Sequence, residues 1–181
     1  MNEEVFEILN SQISTEISAY VFYTNAASLF ANNCLDVFAK FLEKSAREEL
    51  ECANKMRKFL LANNTLPIIG DFAITSSNQD FDPLAIFEDI LRREQVVTES
   101  INEIVEIALK AHDYATSSFM QFFVDKQLKS IKVISDIIYK LKIIGENKID
   151  LLSPKKKKEI CPNEDEELAA IREGLKCIFE F

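Results

Sequence analysis

Three glutamates interrupt helical stripes that are otherwise apolar, and they are the side chains best placed to do chemistry. Glu16, Glu49 and Glu94 each stand where steps of three and four residues would bring an apolar side chain to the interior. Carboxylates in an apolar interior lose hydration and repel one another, so a cation or bound protons must compensate them. The pattern therefore indicates a buried carboxylate site, unless each glutamate tilts toward solvent at the edge of its stripe.

The spacing of these residues places them at a common depth. Glu16 and Glu49 are 33 residues apart, and the same 33 residues separate Glu94 from Gln127. Each pair would meet across a helical hairpin, so that the four polar groups lie at one level of a bundle. Oxygen ligands that bridge two hairpins suit a hard or borderline divalent metal, with iron as the leading candidate.

A cysteine lies beside this level on the second stripe. Cys52 follows Glu49 by three residues, which puts both side chains on one helix face. A thiolate would bind a metal, although it is soft and readily oxidised, whereas a neutral thiol is a poor ligand. Cys52 is therefore either a metal contact or a packed core residue. The single histidine, His112, excludes histidine-based zinc sites and argues against a Ser-His-Asp triad.

The helices that must position these side chains follow from the scarcity of helix breakers. The 181 residues include only 3 glycines and 4 prolines, and the windows 1–66 and 84–144 contain neither. One helix through the first window would be about 99 Å long, which is far longer than a globule of this size, so each window must fold back on itself. The predicted helices span 3–31, 35–63, 83–110 and 114–144, with turns at 31–34 and 111–113.

The sequence also predicts the connection between the two hairpins. The segment 64–81 lacks helical periodicity and is long enough to cross the length of a bundle. Asp82 and Pro83 favour a helix start directly after it. Gly145 favours the end of the fourth helix.

The C-terminal region is predicted to form a separate unit. A linker at 149–163 contains the lysine run 155–158, and Asn163 can cap a short fifth helix. The apolar stripe of that helix consists of Leu168, Ile171, Leu175 and Ile178. We therefore divide the chain into a bundle at 1–146 and a C-terminal unit at 147–181.

Composition and charge argue against some classes of binding partner. Asp plus Glu is 30 and Lys plus Arg is 21, and the resulting net charge of −9 disfavours nucleic acid and membrane surfaces as partners. The four cysteines show no CxxC pair, and no apolar run reaches the length of a membrane span. The chain is expected to be cytoplasmic. Phe6, Phe22 and Ile104 fall outside the apolar seam and are candidates for contacts between subunits.

Six short motifs surround the polar positions and the helix ends. They are Leu9-Asn10-x-Gln12-x-x-x-Glu16, Glu48-Glu49-x-x-Cys52, Arg93-Glu94-Gln95-x-x-Thr98, Asp113-Tyr114-Ala115-Thr116, Phe119-x-Gln121-Phe122-Phe123-Val124-x-x-Gln127 and Lys140-Leu141-x-x-Ile144-Gly145. Through these motifs the chain resembles the non-haem bacterial ferritins over residues 5–146. The resemblance implies an all-α, ferritin-like up-down-down-up four-helix bundle with a long crossover after the second helix and a short fifth helix. It also implies a hollow shell of 24 subunits that oxidises Fe(II) and stores a ferric mineral.

The resemblance also implies roles for individual residues. Glu16 and Glu49 would bind one iron ion, with Glu49 or Glu94 bridging to a second. Glu94 and Gln127 would lie on the side of that second iron. Tyr23 matches a tyrosine beside the centre that can supply an electron, and it fits equally well as a core aromatic residue.

Two departures from the family pattern weaken the implied di-iron centre. Cys52 stands where the family has histidine. Lys126, Lys129 and Ser130 replace acidic residues that form a third iron site with the residue at Glu48. Lys126 either turns inward, where its charge would neutralise a carboxylate and repel iron, or extends with Lys129 to a solvated face.

Three functions remain open on this basis. The first is an iron-storage subunit with a weakened ferroxidase centre, which would use dioxygen or peroxide as the oxidant. The second is a non-catalytic structural subunit that co-assembles with an active ferritin chain. The third is a di-metal oxidoreductase that uses the same bundle without storage.

Overall fold

The computed structural model describes residues 3–70 and 81–145 and contains four α-helices there. The helices are α1 (Glu3–Asn32), α2 (Asp36–Ala62), α3 (Pro83–Lys110) and α4 (Tyr114–Ile144). They confirm the predicted all-α class and follow the predicted bounds to within one residue. The predicted linker at 149–163, the fifth helix and the division at 146 lie outside the described residues. None of the four described helices is both long and apolar enough to cross a membrane.

Local backbone features fix the start of α3 and the two hairpin turns. The Asp82 carboxylate accepts a hydrogen bond from the backbone nitrogen of Leu84 at 2.9 Å, and Pro83 occupies the first helical position of α3. Both hairpin turns contain a residue in the left-handed region, namely Cys34 with φ 60° and His112 with φ 55°. The two turns are therefore short, and each pair of helices, α1 with α2 and α3 with α4, is antiparallel.

Contacts between the hairpins give the predicted up-down-down-up topology. Residue numbers rise along α1 as they fall along α3, because Gln12 bonds to Ser100 whereas Phe30 packs against Phe87. The crossover starts beside the first half of α1, and the Phe81 ring at its other end packs on Phe30 near the end of α1. The two described ends of the crossover are therefore separated by most of the length of α1.

The core consists of two apolar clusters separated by a polar level. One cluster lies at the end of the bundle where α1 ends, and the other lies where α1 begins. Each helix has a buried polar residue between the two clusters, and these residues are Glu16, Glu49, Glu94 and Gln127. Ile104, which we predicted at a subunit contact, is fully buried in the second cluster, so that prediction is wrong. Ile104 belongs to the α3 core because the apolar stripe of α3 is wider than a single seam.

Candidate functional site

Three side chains converge at the polar level from α1 and α2. One ligand atom from each of Glu16, Glu49 and Cys52 lies within 4.8 Å of the other two. All three residues are buried, with 2%, 6% and 2% of their surfaces exposed. The glutamates therefore point into the bundle, and the alternative in which they tilt toward solvent is wrong.

The third predicted glutamate approaches the same level from α3. Glu94 is buried, and its two carboxylate oxygens accept hydrogen bonds from the Tyr23 hydroxyl at 2.6 Å and the Ser130 hydroxyl at 2.9 Å. Burial and the charge of Glu49 raise the pKa of Glu94, while the two hydrogen bonds oppose that increase. Burial and the charge of Glu94 raise the pKa of Tyr23, so the phenol keeps its proton.

Gln127 is buried as predicted, but its amide nitrogen donates hydrogen bonds to α3. Its Nε2 atom donates to the carbonyl oxygen of Glu94 at 3.2 Å and to the Thr98 hydroxyl at 3.4 Å. The amide nitrogen of Gln127 therefore binds to α3, and not to the cluster of Glu16, Glu49 and Cys52.

Lys126 and Lys129 of α4, whose orientation the sequence left open, behave differently. Lys126 turns inward, and its Nζ atom lies 2.9 Å from each carboxylate oxygen of Glu49 and 3.1 Å from the Sγ atom of Cys52. Lys129 is exposed. The cluster therefore contains an internal ammonium group that joins α4 to α2.

Burial controls the charge state of the cluster. It raises the pKa of Glu49 to about 8, with a further increase from the Glu16 carboxylate and an opposing effect of Lys126. Burial also raises the pKa of Cys52 to about 12, so the thiol is neutral at physiological pH. For Lys126 burial acts to lower the pKa, but the contacts with Glu49 and Cys52 outweigh it and hold the pKa above its ordinary value. The Lys126 ammonium thus lies beside a Glu49 carboxyl group that holds its proton more tightly than an exposed glutamate does.

A further buried amide at this level was not identified as a site residue from the sequence. Gln12 donates from Nε2 to Glu16 at 2.8 Å and accepts from the Ser100 hydroxyl at 2.6 Å. Its position four residues before Glu16 was the available signal, because such a pair shares a helix face. Among the described residues, every buried side-chain nitrogen and oxygen atom has a hydrogen-bond partner.

An open groove leads from the surface to this cluster. It lies between α2 and α4, has a volume of about 1120 Å³, and reaches Tyr23, Glu49, Lys126 and Ser130. Charged residues of both signs line its outer part, including Glu48 and Lys129. Small ions can therefore reach the polar level from this side of the bundle.

The donor atoms suit a divalent cation only in part. The carboxylates of Glu16 and Glu49 are oxygen donors of the kind that hard and borderline cations prefer. The neutral thiol of Cys52 is a poor donor, and the Lys126 ammonium already contacts both Glu49 oxygens. The site as built is a carboxylate site whose cation is supplied by the protein itself.

Comparison with known proteins finds similarity along most of the chain. The family model of the ferritin-like domain matches residues 6–144. A bacterial non-heme ferritin of Campylobacter jejuni is 34% identical over 148 residues, which are 81% of this chain and 87% of the relative. An Escherichia coli bacterial non-heme ferritin is 27% identical over 148 residues, covering 81% and 88%. The crystal structure of an open-pore ferritin from the archaeon Archaeoglobus fulgidus superposes with a TM-score of 0.76 at 33% identity, covering 91% and 99%.

Proposed function

The chain belongs to the ferritin family, and from that premise we propose that it is a cytoplasmic iron-storage subunit that takes up Fe(II) inside its own four-helix bundle. The observation that carries this proposal is the convergence of three buried carboxylates, Glu16, Glu49 and Glu94, at one level of the bundle. Carboxylate oxygens are the donors that hard and borderline divalent cations prefer. Fe(II) is the cargo of the proposed site.

Each side chain has a distinct part in the proposed uptake. Glu16 and Glu49 offer carboxylate oxygens to one Fe(II) ion, and Glu94 with Gln127 lies on the side of a second. Cys52 is the weakest donor of the set because its thiol is protonated at neutral pH. Oxidation of Fe(II) by dioxygen or peroxide at this site is therefore expected to be slow compared with a centre that has a neutral imidazole in that position.

Tyr23 is proposed to supply an electron during oxidation. Its hydroxyl hydrogen faces a carboxylate acceptor, since the distance from the Tyr23 oxygen to Glu94 is 2.6 Å. Loss of an electron from a buried phenol is easier when its proton has such an acceptor. Tyr23 also borders the groove between α2 and α4, through which the oxidant can approach.

The rate of Fe(II) oxidation by the purified protein tests this proposal. The test variant is the double substitution Glu16→Gln and Glu94→Gln, and the matched control is Glu99→Gln with Glu103→Gln at exposed positions of α3. We expect the test variant to lose most of the rate above the protein-free blank, while the control retains it. Equal rates for the two double variants would exclude oxidation at the buried site.

A specific observation favours the second candidate, a non-catalytic structural subunit. The Lys126 ammonium and the neutral Cys52 thiol occupy one side of the site, which leaves fewer donors for iron. A structural subunit would form shells but would oxidise Fe(II) no faster than the blank until it is mixed with an active ferritin chain. A di-metal oxidoreductase without storage would instead remain a small particle.

A further inference from the structure

The Lys126 ammonium lies among the donor atoms of the cluster. Its Nζ atom lies 2.9 Å from both Glu49 oxygens and 3.1 Å from the Cys52 sulfur. Glu49 and Cys52 are also two of the three residues whose ligand atoms cluster with Glu16. The ammonium therefore uses donor atoms that a metal ion at this cluster would need.

The contacts of the Lys126 ammonium are all directed into the cluster. Its Nζ atom reaches both oxygens of Glu49 and the sulfur of Cys52. The side chain is only 19% exposed, and that of Glu49 is 8% exposed, so bulk water screens the pair weakly. Removal of one partner from such a buried pair leaves the other charge uncompensated.

We propose that Lys126 is a built-in competitor of divalent metal ions, which bind at Glu49 only after the Lys126 side chain has moved out of the cluster. The inference rests on the proposed function, because it assumes that this cluster is where metal binds. The proposal makes Lys126 a specificity-determining residue, because its contact with Glu49 sets the affinity of the cluster for metal.

The groove between α2 and α4 provides a place for the displaced side chain. Lys126 already lines this groove, together with the exposed carboxylate of Glu48, whose ion-pair distance to Lys44 is a loose 3.9 Å. A lysine stem has four rotatable bonds, so the ammonium can leave Glu49 without movement of the α4 backbone. If the ammonium moves from Glu49 to the side of Glu48, it remains close to a carboxylate and gains contact with water.

Lys129 gives this proposal a matched control. Lys126→Met and Lys129→Met change the net charge of the chain equally, on the same helix and at the same groove. Only Lys126 contacts Glu49 and Cys52, whereas Lys129 is exposed. A general electrostatic effect on metal affinity would therefore appear in both variants, and competition for the donor atoms would appear only in the first.

The experiment is an anaerobic titration of the metal-free proteins with Co²⁺, followed by its visible absorption bands and by calorimetry. We expect Lys126→Met to bind Co²⁺ at least roughly tenfold more tightly than the wild type, and Lys129→Met to match the wild type. Equal affinities of all three proteins, or equal gains in both variants, would overturn the proposal. Lys126→Gln is titrated in parallel, because its polar side chain preserves folding if the methionine variant does not assemble.

Wild-type crystals soaked in Co²⁺ supply an independent readout. We expect anomalous density at Glu49 only in molecules whose Lys126 ammonium has left the Glu49 carboxylate. Metal bound to Glu49 while the ammonium keeps its 2.9 Å contacts would refute competition. Iron content and particle size of the wild type report separately on the proposed storage function, so a failure of storage can be told apart from a failure of this inference.

Discussion

Burial of Glu49 has a direct consequence for the pH dependence of stability. Its pKa of about 8 lies well above the ordinary value of 4.5 for a glutamate, so the folded chain keeps a proton that the unfolded chain releases between those values. A group that binds its proton more tightly in the folded state loses stabilising effect as the pH rises through this window. The metal-free protein should therefore become less stable, by on the order of a few kcal/mol, between about pH 5 and about pH 8.

Thermal unfolding in the presence of a chelator measures this dependence. Glu49→Gln should flatten the decline in melting temperature over the window, whatever its effect on the absolute value. Glu48→Gln, at the exposed neighbouring position, should keep the wild-type slope. A Glu49→Gln variant that retains the slope would assign the titration to another group.

A second prediction concerns the effect of Cys52 on Fe(II) oxidation. Cys52→His restores an imidazole three residues after Glu49, but the Lys126 ammonium still holds Glu49 in that variant. The single substitution should therefore accelerate Fe(II) oxidation only slightly, whereas Cys52→His combined with Lys126→Met should accelerate it by roughly tenfold or more. Stopped-flow absorbance of ferric products compares the two. Cys34→His, at the turn between α1 and α2, serves as the control, and a large gain from Cys52→His alone would show that Lys126 does not limit the site.

At the residue scale, the sequence predicted the depth of the glutamates but left open whether Lys126 pairs with one of them. Backbone position follows from helical periodicity, so Glu16, Glu49 and Glu94 could be placed from spacing alone. The Lys126 side chain has many rotamers, and its position next to Gln127 in the chain does not decide between the interior and solvent. The contact with Glu49 depends on how closely α2 and α4 approach, which no single helix encodes.

At the scale of elements, the helix bounds were predictable because few residues can end a helix in this chain. The crossover was predicted only as a long connection, and its attachment to α1 is visible only in the structure. Asn10 holds it through two hydrogen bonds to the backbone of Ile68, of 2.6 Å to the oxygen and 2.8 Å from the nitrogen. Ser14 accepts a further bond from the nitrogen of Gly70 at 3.1 Å. The start of the crossover is thus fixed by side chains of α1 and not by its own secondary structure.

Asn10→Ala should release this part of the crossover. Each of the two lost hydrogen bonds is worth about 1 kcal/mol, so local opening around Ile68 should become roughly thirtyfold more frequent while global unfolding changes less. Amide hydrogen exchange at Ile68 and Gly70 measures the opening. Asn54→Ala removes a bond within α2 only, to the carbonyl oxygen of Leu50, and should leave exchange at both amides unchanged. Unchanged exchange in Asn10→Ala would mean that other contacts hold the segment.

At the scale of the whole molecule, several large apolar side chains of one helix are exposed. On α4, Leu128, Tyr139 and Ile143 each expose two thirds or more of their surface. The sequence pointed instead to Ile104, because a seam drawn through one stripe of α3 leaves that residue outside. Which apolar residues are exposed depends on the width of the buried face in the folded bundle, and that width is a property of four helices together.

Storage of a mineral requires more space than one subunit offers, and this gives the last prediction. The groove between α2 and α4 has about 1120 Å³ and opens to solvent, so a single bundle can bind a few ions but cannot enclose a mineral. If the chain stores iron, its copies must surround a cavity, and the exposed apolar residues of α4 are available for contacts between them. Light scattering after size-exclusion chromatography should therefore find one large particle, consistent with a shell of 24 chains, and added iron should elute with it. A monodisperse monomer at micromolar concentration, with iron eluting separately, would contradict storage and leave only the chemistry of the buried site.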